Sequence, residues 1–425
     1  MKGCQSLGKG KMKILLAWEL GGNLGHVSKL LQVARCLRQR NHEVLFAVKN
    51  LSTACQLLDE EDFKYVQSPL PFGQKRRHHE PSSFADILAG AGFSEPDTLE
   101  GLVRGWQNLF RIYQPDVLLS QYAPSAQLAG RLAGLPCLRL NIGFECPPDA
   151  APYPCFRPWL KLTKSQLMQK EEIILENINK VSVGQGAASN SSVYEALRSD
   201  LTLLATLPEL DHYQERKGGR YVGPLFVVDD GFEILWPERD SPRIFVYLRP
   251  GPETPAVLNA LDVSGANVIA FIPGIDAKLA ADFTDKGLRI YTSKVKLSPL
   301  LPDMDLAITH SNHGTVAGTL LAGVPMLSIP TTIEQLLLSQ NLERIGIGIT
   351  VRRDRFSAEF VPALERLLAE RTFRENAKNL ARKYVGYDQK RVAERIATTI
   401  ERLPEWTKVQ ADYPAWKRIP NEMRL

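Results

Sequence analysis

Hydrophobic positions along the chain alternate between short apolar runs and amphipathic stretches. The runs KILLAW (13–18) and HEVLFAV (42–48) are typical of buried strands, and the segment between them carries apolar residues at helical spacing. The same theme returns at PDVLLSQ (115–121) and CLRLNIG (137–143). A strand, a glycine-rich loop, a helix and another strand in this order indicate the beginning of a parallel α/β sheet.

The pattern restarts in the second half of the chain. Further strand-type runs are RIFVYLR (243–249), ANVIAFIP (266–273), GLRIYTS (287–293), DLAITH (305–310), PMLSIP (325–330) and GIGITV (346–351). Before them come a loop rich in proline and aromatic residues (144–159), a predicted long amphipathic helix near 160–200, and an acidic stretch with Gly and Pro (218–242). We interpret 218–242 as an interdomain linker.

Two Rossmann-like domains in tandem follow from this pattern, one over 12–217 and the other over 243–402. The length of 425 residues agrees, because a single core of that size is unusual. A hydrophobic content of 44% and a charged content of 23% describe a globular protein. The net charge of +5 is small for this length and gives no reason to expect a nucleic-acid partner.

Cysteine usage and the N-terminus bear on the compartment. The six cysteines form no CxxC pair, which favours reduced thiols over a disulfide framework or a zinc site. The apolar run near the N-terminus, ILLAW, is too short for a signal-peptide core or a membrane span. We therefore expect a cytoplasmic protein without a transmembrane segment. The basic run KRRHHE (75–80) is interpreted as a surface loop.

Candidate chemistry is concentrated after the strand DLAIT. This strand delivers His310 to the carboxyl edge of the second sheet, where open α/β sheets bind their ligands. The next helix is predicted to begin near Gly314 and Thr315. Its first N–H groups have no partner within the helix, and its dipole is positive at that end, so a phosphate is the natural ligand.

A second polar group follows the strand PMLSIP. Glu334 and Gln335 come after a short TTI loop. A carboxylate accepts hydrogen bonds from hydroxyls, and an amide both donates and accepts. This pair can therefore bind vicinal hydroxyls of a sugar ring, next to a diphosphate bound at the helix start.

The order HSNHGT (310–315), GVP (323–325), Pro330 and EQ (334–335) resembles the donor-binding motif of the GT-B glycosyltransferases. The resemblance is to the family of UDP-glycosyltransferases and bacterial macrolide glycosyltransferases. It implies two Rossmann-like domains facing a cleft, and a C-terminal tail (403–425) that crosses back to the N-terminal domain.

The resemblance also assigns roles to residues of the motif. It implies that His310, Gly314 and Thr315 bind the diphosphate of the donor and that Glu334 and Gln335 bind its sugar. The candidate contacts beyond this set are Asn312, His313 and Arg249.

The loop GGNLGH (21–26) carries the other candidate. It is not the G-x-G-x-x-G pattern, and the following strand ends in Lys49 and Asn50 instead of an acid, so a nicotinamide site is rejected. The loop resembles the Gly-His turn near the start of the same family, in which the histidine deprotonates the acceptor hydroxyl. An ordinary histidine pKa of ~6.5 suits this work at neutral pH, so His26 is the candidate base.

One position departs from the family. Where many members have an aspartate that orients the histidine, this chain has Gln121 at the end of PDVLLSQ. An amide can select one tautomer but cannot stabilise an imidazolium by charge. Three alternatives stay open: another acid serves the histidine, the base is weaker, or His26 is not the base.

The sequence thus predicts a GT-B glycosyltransferase. It would move a hexose from a UDP- or dTDP-sugar to a hydroxyl of a small-molecule or lipid acceptor, with inversion, and peripheral membrane contact is compatible with it. No cofactor beyond the nucleotide sugar and no metal are expected, and the DMD at 303–305 is interpreted as a polar start of a strand. The alternatives are a non-hydrolysing sugar-nucleotide epimerase and a catalytically silent sugar-nucleotide-binding protein, which Gln121 favours.

Overall fold

The computed structural model describes residues 10–22, 24–72, 80–214, 216–227, 231–237 and 241–410. This part of the chain divides into two compact units. The first consists of the residues up to Thr206, of 216–225 and of the chain from Gln389 onward. The second consists of Leu207–Gln214 and Phe226–Asp388.

The first unit is built on six parallel strands. They are β1 (Lys13–Trp18), β2 (Glu43–Val48), β3 (Lys64–Gln67), β4 (Val117–Gln121), β5 (Cys137–Asn141) and β6 (Leu201–Leu204), in the sheet order β3-β2-β1-β4-β5-β6. The helices are α1 (Gly25–Gln39), α2 (Leu51–Asp59), α3 (Phe84–Leu88), α4 (Pro96–Tyr113), α5 (Pro124–Leu132), α6 (Lys164–Gly184) and α7 (Val193–Ala196). Every residue of β4 and β5 is buried, because parallel strands covered on both faces contact no solvent.

The second unit repeats the design. Its strands are β7 (Arg243–Tyr247), β8 (Asn267–Phe271), β9 (Arg289–Tyr291), β10 (Leu306–Thr309), β11 (Met326–Ser328) and β12 (Gly348–Thr350), in the order β12-β11-β10-β7-β8-β9. The helices are α8 (Thr254–Val263), α9 (Ala277–Thr284), α10 (His313–Leu321), α11 (Ile333–Arg344), α12 (Phe356–Ala369) and α13 (Arg371–Lys383). Side chains alternate between two apolar layers: Ile244 and Val246 lie in one, and Phe245 lies in the other.

The last helix, α14 (Gln389–Gln410), belongs to the first unit. Its Glu401 carboxylate lies 2.9 Å from Arg40 Nη1 and 2.9 Å from His42 Nε2. The chain therefore returns to the first unit at Gln389, earlier than the predicted tail at 403. No helix of the described residues has the length and apolar character that a membrane crossing requires.

Both sheets have the doubly wound strand order, whose switch points lie between β1 and β4 and between β7 and β10. Ligands of such sheets bind at the carboxyl ends of the strands beside the switch point. In the first unit His26 follows β1 and Gln121 ends β4. In the second unit Arg249 follows β7 and His310 follows β10. The topology alone thus places the candidate residues at two ligand-binding edges.

One prediction about the connections was wrong. The helix expected near 160–200 ends at Gly184, because Gly186 adopts a left-handed φ of 80° that stops it, and the chain then forms α7 and β6. The chain passes from the first unit to the second between Leu225 and Phe226, which lie within the predicted linker 218–242. Residues 75–79 of the basic run and residues 411–425 of the predicted tail lie outside the described residues.

Candidate active site

Helix α10 begins at His313 and presents its N-terminus at the carboxyl edge of the second sheet. Its N-cap residue, Asn312, makes no side-chain cap hydrogen bond, because its Oδ1 accepts from Gln335 Nε2 at 2.9 Å. The first-turn N–H groups at Gly314 and Thr315 are therefore not capped by a side chain. Such a helix start attracts anions through its N–H groups and its dipole.

His310 is 4% exposed, and both its ring nitrogens are bonded to main-chain groups. The main-chain N–H of Arg249 donates to Nε2 at 2.9 Å, and Nδ1 lies 2.7 Å from the carbonyl of Ile329. Since the N–H can only donate, Nε2 is the acceptor and Nδ1 carries the hydrogen. His310 thus joins the loops after β7, β10 and β11, and the predicted contact with a diphosphate would require it to give up one of these bonds. The side chain of Arg249 is exposed.

Ser311 occupies a position where the family motif has glycine. Its φ of 63° lies in the left-handed region, which costs a non-glycine residue about 1–2 kcal/mol. Two hydrogen bonds offset this cost. Ser311 Oγ donates to Ser328 Oγ at 2.6 Å, and Ser311 N–H donates to Thr309 Oγ1 at 2.9 Å. The loop therefore keeps a glycine-like backbone without the glycine.

The side-chain amide of Gln335 forms hydrogen bonds with neighbouring residues through both its oxygen and its nitrogen. Its Oε1 accepts from Thr331 N and Thr331 Oγ1 at 2.8 Å and from Thr332 N at 3.2 Å, in a capping box at the start of α11. Its Nε2 bonds to Asn312, as described above, which ties α11 to the start of α10. Glu334, in the same helical turn, is partly exposed. Of the predicted sugar-binding pair, Gln335 thus has its side-chain amide hydrogen-bonded within the unit, and Glu334 lies beside it in the first turn of α11.

In the first unit, His26 is the second residue of α1. Its ring is stacked on Trp18, with centroids 5.4 Å apart and an interplanar angle of 20°. The loop before it approaches the ring closely at Gly21, whose φ is 81°. A Cβ placed on Gly21 would lie 2.1 Å from His26 Nε2. Lys49 Nζ donates to the carbonyl of Gly21 at 2.8 Å and fixes this loop.

The other side of the imidazole contacts two acceptors. Nδ1 lies 2.9 Å from Gln121 Oε1 and 3.3 Å from Glu145 Oε1. In the neutral ring the hydrogen is therefore on Nδ1, and Nε2 keeps its lone pair for a substrate proton. Gln121 Nε2 donates to Glu145 Oε2 at 2.8 Å, which also fixes the orientation of the amide. We call His26, Gln121, Glu145 and Lys29 the His26 cluster.

Glu145 is the one acid of this cluster and is 3% exposed. Lys29 Nζ lies 3.4 Å from its Oε1, and the main-chain N–H of Ile142 donates to its Oε2 at 2.9 Å. Burial by itself would raise the pKa of Glu145. The charge of Lys29 and the hydrogen bonds from His26 and from the Ile142 N–H outweigh burial and lower this pKa to about 2. Glu145 is thus ionised at neutral pH.

The DMD sequence at 303–305 lies at the amino end of β10, away from the edge that carries His310. Both acids are paired with arginines of the same unit. Asp303 Oδ2 lies 3.0 Å from Arg243 Nη1, and Asp305 Oδ1 lies 2.6 Å from Arg374 Nη2. Asp305 is buried and not solvated, and its carboxylate also accepts a hydrogen bond from the main-chain N–H of Arg243. These contacts give the DMD a structural role.

Known proteins resemble this chain in sequence and in fold. A profile of the family described as "Erythromycin biosynthesis protein CIII-like, C-terminal domain" matches residues 256–397. A PGL/p-HBAD biosynthesis glycosyltransferase of Mycobacterium tuberculosis is 25% identical over an alignment of 399 positions that covers 87% of this chain and 88% of the relative.

Two solved structures extend the comparison. The calicheamicin glycosyltransferase CalG4 superposes with a TM-score of 0.71 at 19% identity, over 92% of this chain and 99% of its own. The glycosyltransferase VinC in complex with dTDP superposes with a TM-score of 0.61 at 18% identity, over 90% of this chain and 100% of VinC. The chain is therefore a protein of the GT-B fold, and the predicted fold class is confirmed. The predicted resemblance to the bacterial macrolide glycosyltransferases is confirmed as well.

Sequence reasoning did not find Glu145 or the structural role of His310. Glu145 lies in the FECPPDAAPYPCFRPW segment, which was interpreted only as an irregular loop. A signal was nevertheless present: the loop follows β5, the strand next to β4, so its first residues emerge beside Gln121 at the same sheet edge. The hydrogen bonds of His310 join it to main-chain groups of two other loops, and no local sequence pattern predicts such contacts.

Proposed function

We propose that the protein is a glycosyltransferase that moves a sugar from a nucleotide-diphosphate sugar to an acceptor hydroxyl. The observation that carries this proposal is the state of His26. It stands at a ligand-binding edge, with Nδ1–H committed to Gln121 and Glu145, so that Nε2 is kept as a base. The Mycobacterium tuberculosis relative and CalG4 are both named as glycosyltransferases, which supports the same reaction class.

The donor is assigned to the second unit. The N–H groups at Gly314 and Thr315 would bind the diphosphate, and Glu334 would accept hydrogen bonds from the sugar hydroxyls. His313 and Asn312 would complete this edge through their place at the helix start. The dTDP bound to VinC supports a dTDP-sugar, and a UDP-sugar is the other candidate.

The proposed chemical step uses the base of the first unit and the helix start of the second. The acceptor oxygen attacks the anomeric carbon, its proton passes to His26 Nε2, and the bond from that carbon to the diphosphate oxygen breaks. A single displacement of this kind inverts the anomeric configuration. The charge that develops on the leaving diphosphate would be stabilised by the start of α10, so we propose that the reaction needs no metal. The acceptor is assigned to the first unit and is a small molecule or a lipid.

Nucleotide release distinguishes the candidate functions. The protein is incubated with dTDP- and UDP-hexoses, with and without a panel of phenolic and aliphatic alcohols, and free nucleotide is measured. Acceptor-dependent release supports the transferase, and the product NMR spectrum and an EDTA control test inversion and metal independence. Conversion of the donor sugar without an acceptor would indicate the epimerase instead, and binding without turnover would indicate the silent binder.

Replacing Glu334 by alanine tests the sugar contact. The Glu334→Ala variant should bind the donor sugar nucleotide about 10- to 100-fold more weakly, since each hydrogen bond to a charged group contributes about 1.5–3 kcal/mol. Binding of the free nucleoside diphosphate should be unchanged. Calorimetric titration with both ligands measures the difference. Equal losses for the two ligands would remove Glu334 from the sugar site.

A further inference from the structure

We propose that Glu145 is a positioning residue of the transfer reaction: its carboxylate stabilises the His26 imidazolium as the acceptor proton arrives, while Gln121 selects the tautomer. This inference rests on the proposed function of His26 as the base. It divides between two side chains the work that the family motif gives to one aspartate at the position of Gln121. Of the three alternatives left open by the sequence, this inference selects the first, in which another acid serves the histidine, and identifies that acid as Glu145.

The geometry separates the two tasks. Gln121 Oε1 is the nearer acceptor of the Nδ1 hydrogen, at 2.9 Å, but an amide carries no net charge. Glu145 Oε1 lies 3.3 Å from the same nitrogen and carries the charge. Both Gln121 and Glu145 are buried, so solvent screens this attraction little. The Gln121 Nε2 bond to Glu145 Oε2 holds the two acceptors side by side.

The loop that carries Glu145 is held rigidly at its base. Asn141, the last residue of β5, donates from Nδ2 to the main-chain carbonyl of Glu145 at 3.1 Å. Its Oδ1 accepts from the main-chain N–H of Tyr122, just after β4, at 2.8 Å. The Ile142 N–H bonds to the carboxylate itself. The carboxylate is therefore fixed from the two strands β4 and β5 before any substrate binds, as pre-organised stabilisation of a developing charge requires.

Lys29 modulates this effect. Its ammonium lies 3.4 Å from Glu145 Oε1, the oxygen that also faces His26. A cation there holds the carboxylate ionised but opposes a second positive charge on the imidazole. Among the described residues, two further titratable groups lie on neighbouring elements: Tyr122, whose ring centroid is 6.1 Å from that of His26, and Lys49, which donates to the Gly21 carbonyl. Among these groups Glu145 alone favours the imidazolium.

The first variant is Glu145→Gln. Removal of the negative charge makes protonation of His26 harder, so the acid limb of the rate profile should move about one pH unit lower. The maximal kcat should fall about 10- to 100-fold, less than the ~10⁴-fold loss seen when a triad loses its tautomer, because Gln121 still selects it. KM for the donor should not change. Lys29→Met, which removes the opposing cation, should move the acid limb to higher pH.

The decisive variant exchanges the two side chains, Gln121→Glu together with Glu145→Gln. It restores a carboxylate at Nδ1 but leaves Lys29 without its acidic partner. If Glu145 acts through His26, the exchange recovers most of the lost kcat and the position of the acid limb, while the melting temperature stays lowered. If Glu145 only holds Lys29 and the loop, kcat and melting temperature stay low together, and the inference is overturned.

Glu171→Gln is the matched control. Glu171 is another buried carboxylate of the first unit, and it accepts from the main-chain N–H of Tyr153 at 2.5 Å. Its replacement should lower the melting temperature without moving the acid limb. An acid limb displaced equally in Glu171→Gln and Glu145→Gln would contradict the proposal. A wild-type protein without acceptor-dependent nucleotide release would instead refute the proposed function, so the two failures are distinguishable.

Discussion

The His26→Ala variant is expected to lose about 10²–10⁴-fold in kcat, the range that a general base contributes. An alcohol is a poor nucleophile until its proton leaves. Because Nδ1 of His26 contacts Gln121 and Glu145, the hydrogen of the neutral ring is on Nδ1, and Nε2 has the lone pair that accepts the proton. Donor affinity should be unchanged, because the donor is assigned to the second unit. The measurements are initial rates of nucleotide release and calorimetric titration with the sugar nucleotide.

A buried imidazole of the same unit, that of His42, serves as the control for His26. His42 lies just before β2, at the amino edge of the same sheet, and contacts Glu401 of α14. His42→Ala should lower the melting temperature but reduce kcat little. Near-normal turnover in His26→Ala would exclude His26 as the base. A loss of donor affinity equal to the loss of kcat would mean that the residue supports the fold or the donor site instead.

The fold was largely predictable from the sequence because several of its central strands are runs of apolar residues. Runs such as KILLAW and RIFVYLR are long enough to be recognised without any context, since both of their faces are buried. The edge strand β3, with the sequence KYVQ, has no fully buried residue and therefore no comparable pattern. The strand β6 follows the short helix α7 and is only four residues long, so it gives no distinct pattern of its own.

The candidate sites were predictable in part. The edge residues His26, Gly314 and Glu334 could be found because a motif lies within a few residues of one strand end. Glu145 and the bonds of His310 could not, because they join loops after different strands: Glu145 is 24 residues from Gln121, and His310 is 61 from Arg249. Contacts between loops at a sheet edge depend on strand order, which local sequence does not encode.

The contacts of Glu145 also bear on the choice between a transferase and a catalytically silent binder. Gln121 favoured a catalytically silent binder as long as no acid was known near His26. With Glu145 ionised and 3.3 Å from Nδ1, the histidine has both a tautomer-selecting amide and a charged partner. A binder without catalysis has no use for such a cluster at the edge of the unit that does not carry the donor motif. The cluster therefore favours a transferase with its own acceptor-activating base.

The Gly21→Ala variant is expected to lose about 10²-fold in kcat without any change of the catalytic groups themselves. The new Cβ would lie 2.1 Å from His26 Nε2, so the imidazole or the loop must move by about 1 Å, a misplacement that costs about 10²-fold in rate. The left-handed φ of 81° adds about 1–2 kcal/mol of strain for alanine. Initial rates of nucleotide release, together with the melting temperature, measure the two effects.

The neighbouring glycine provides the matched control. Gly22 has no heavy atom within 4 Å of an added Cβ and does not have a left-handed φ, so Gly22→Ala should keep kcat within about twofold. Strain alone would lower the melting temperature of Gly21→Ala and leave kcat of the folded fraction intact. Displacement of the base would lower kcat even at temperatures where the variant is fully folded. Equal activity of the two alanine variants would show that Nε2 does not need its present position, and the assignment of His26 as the base would then be lost.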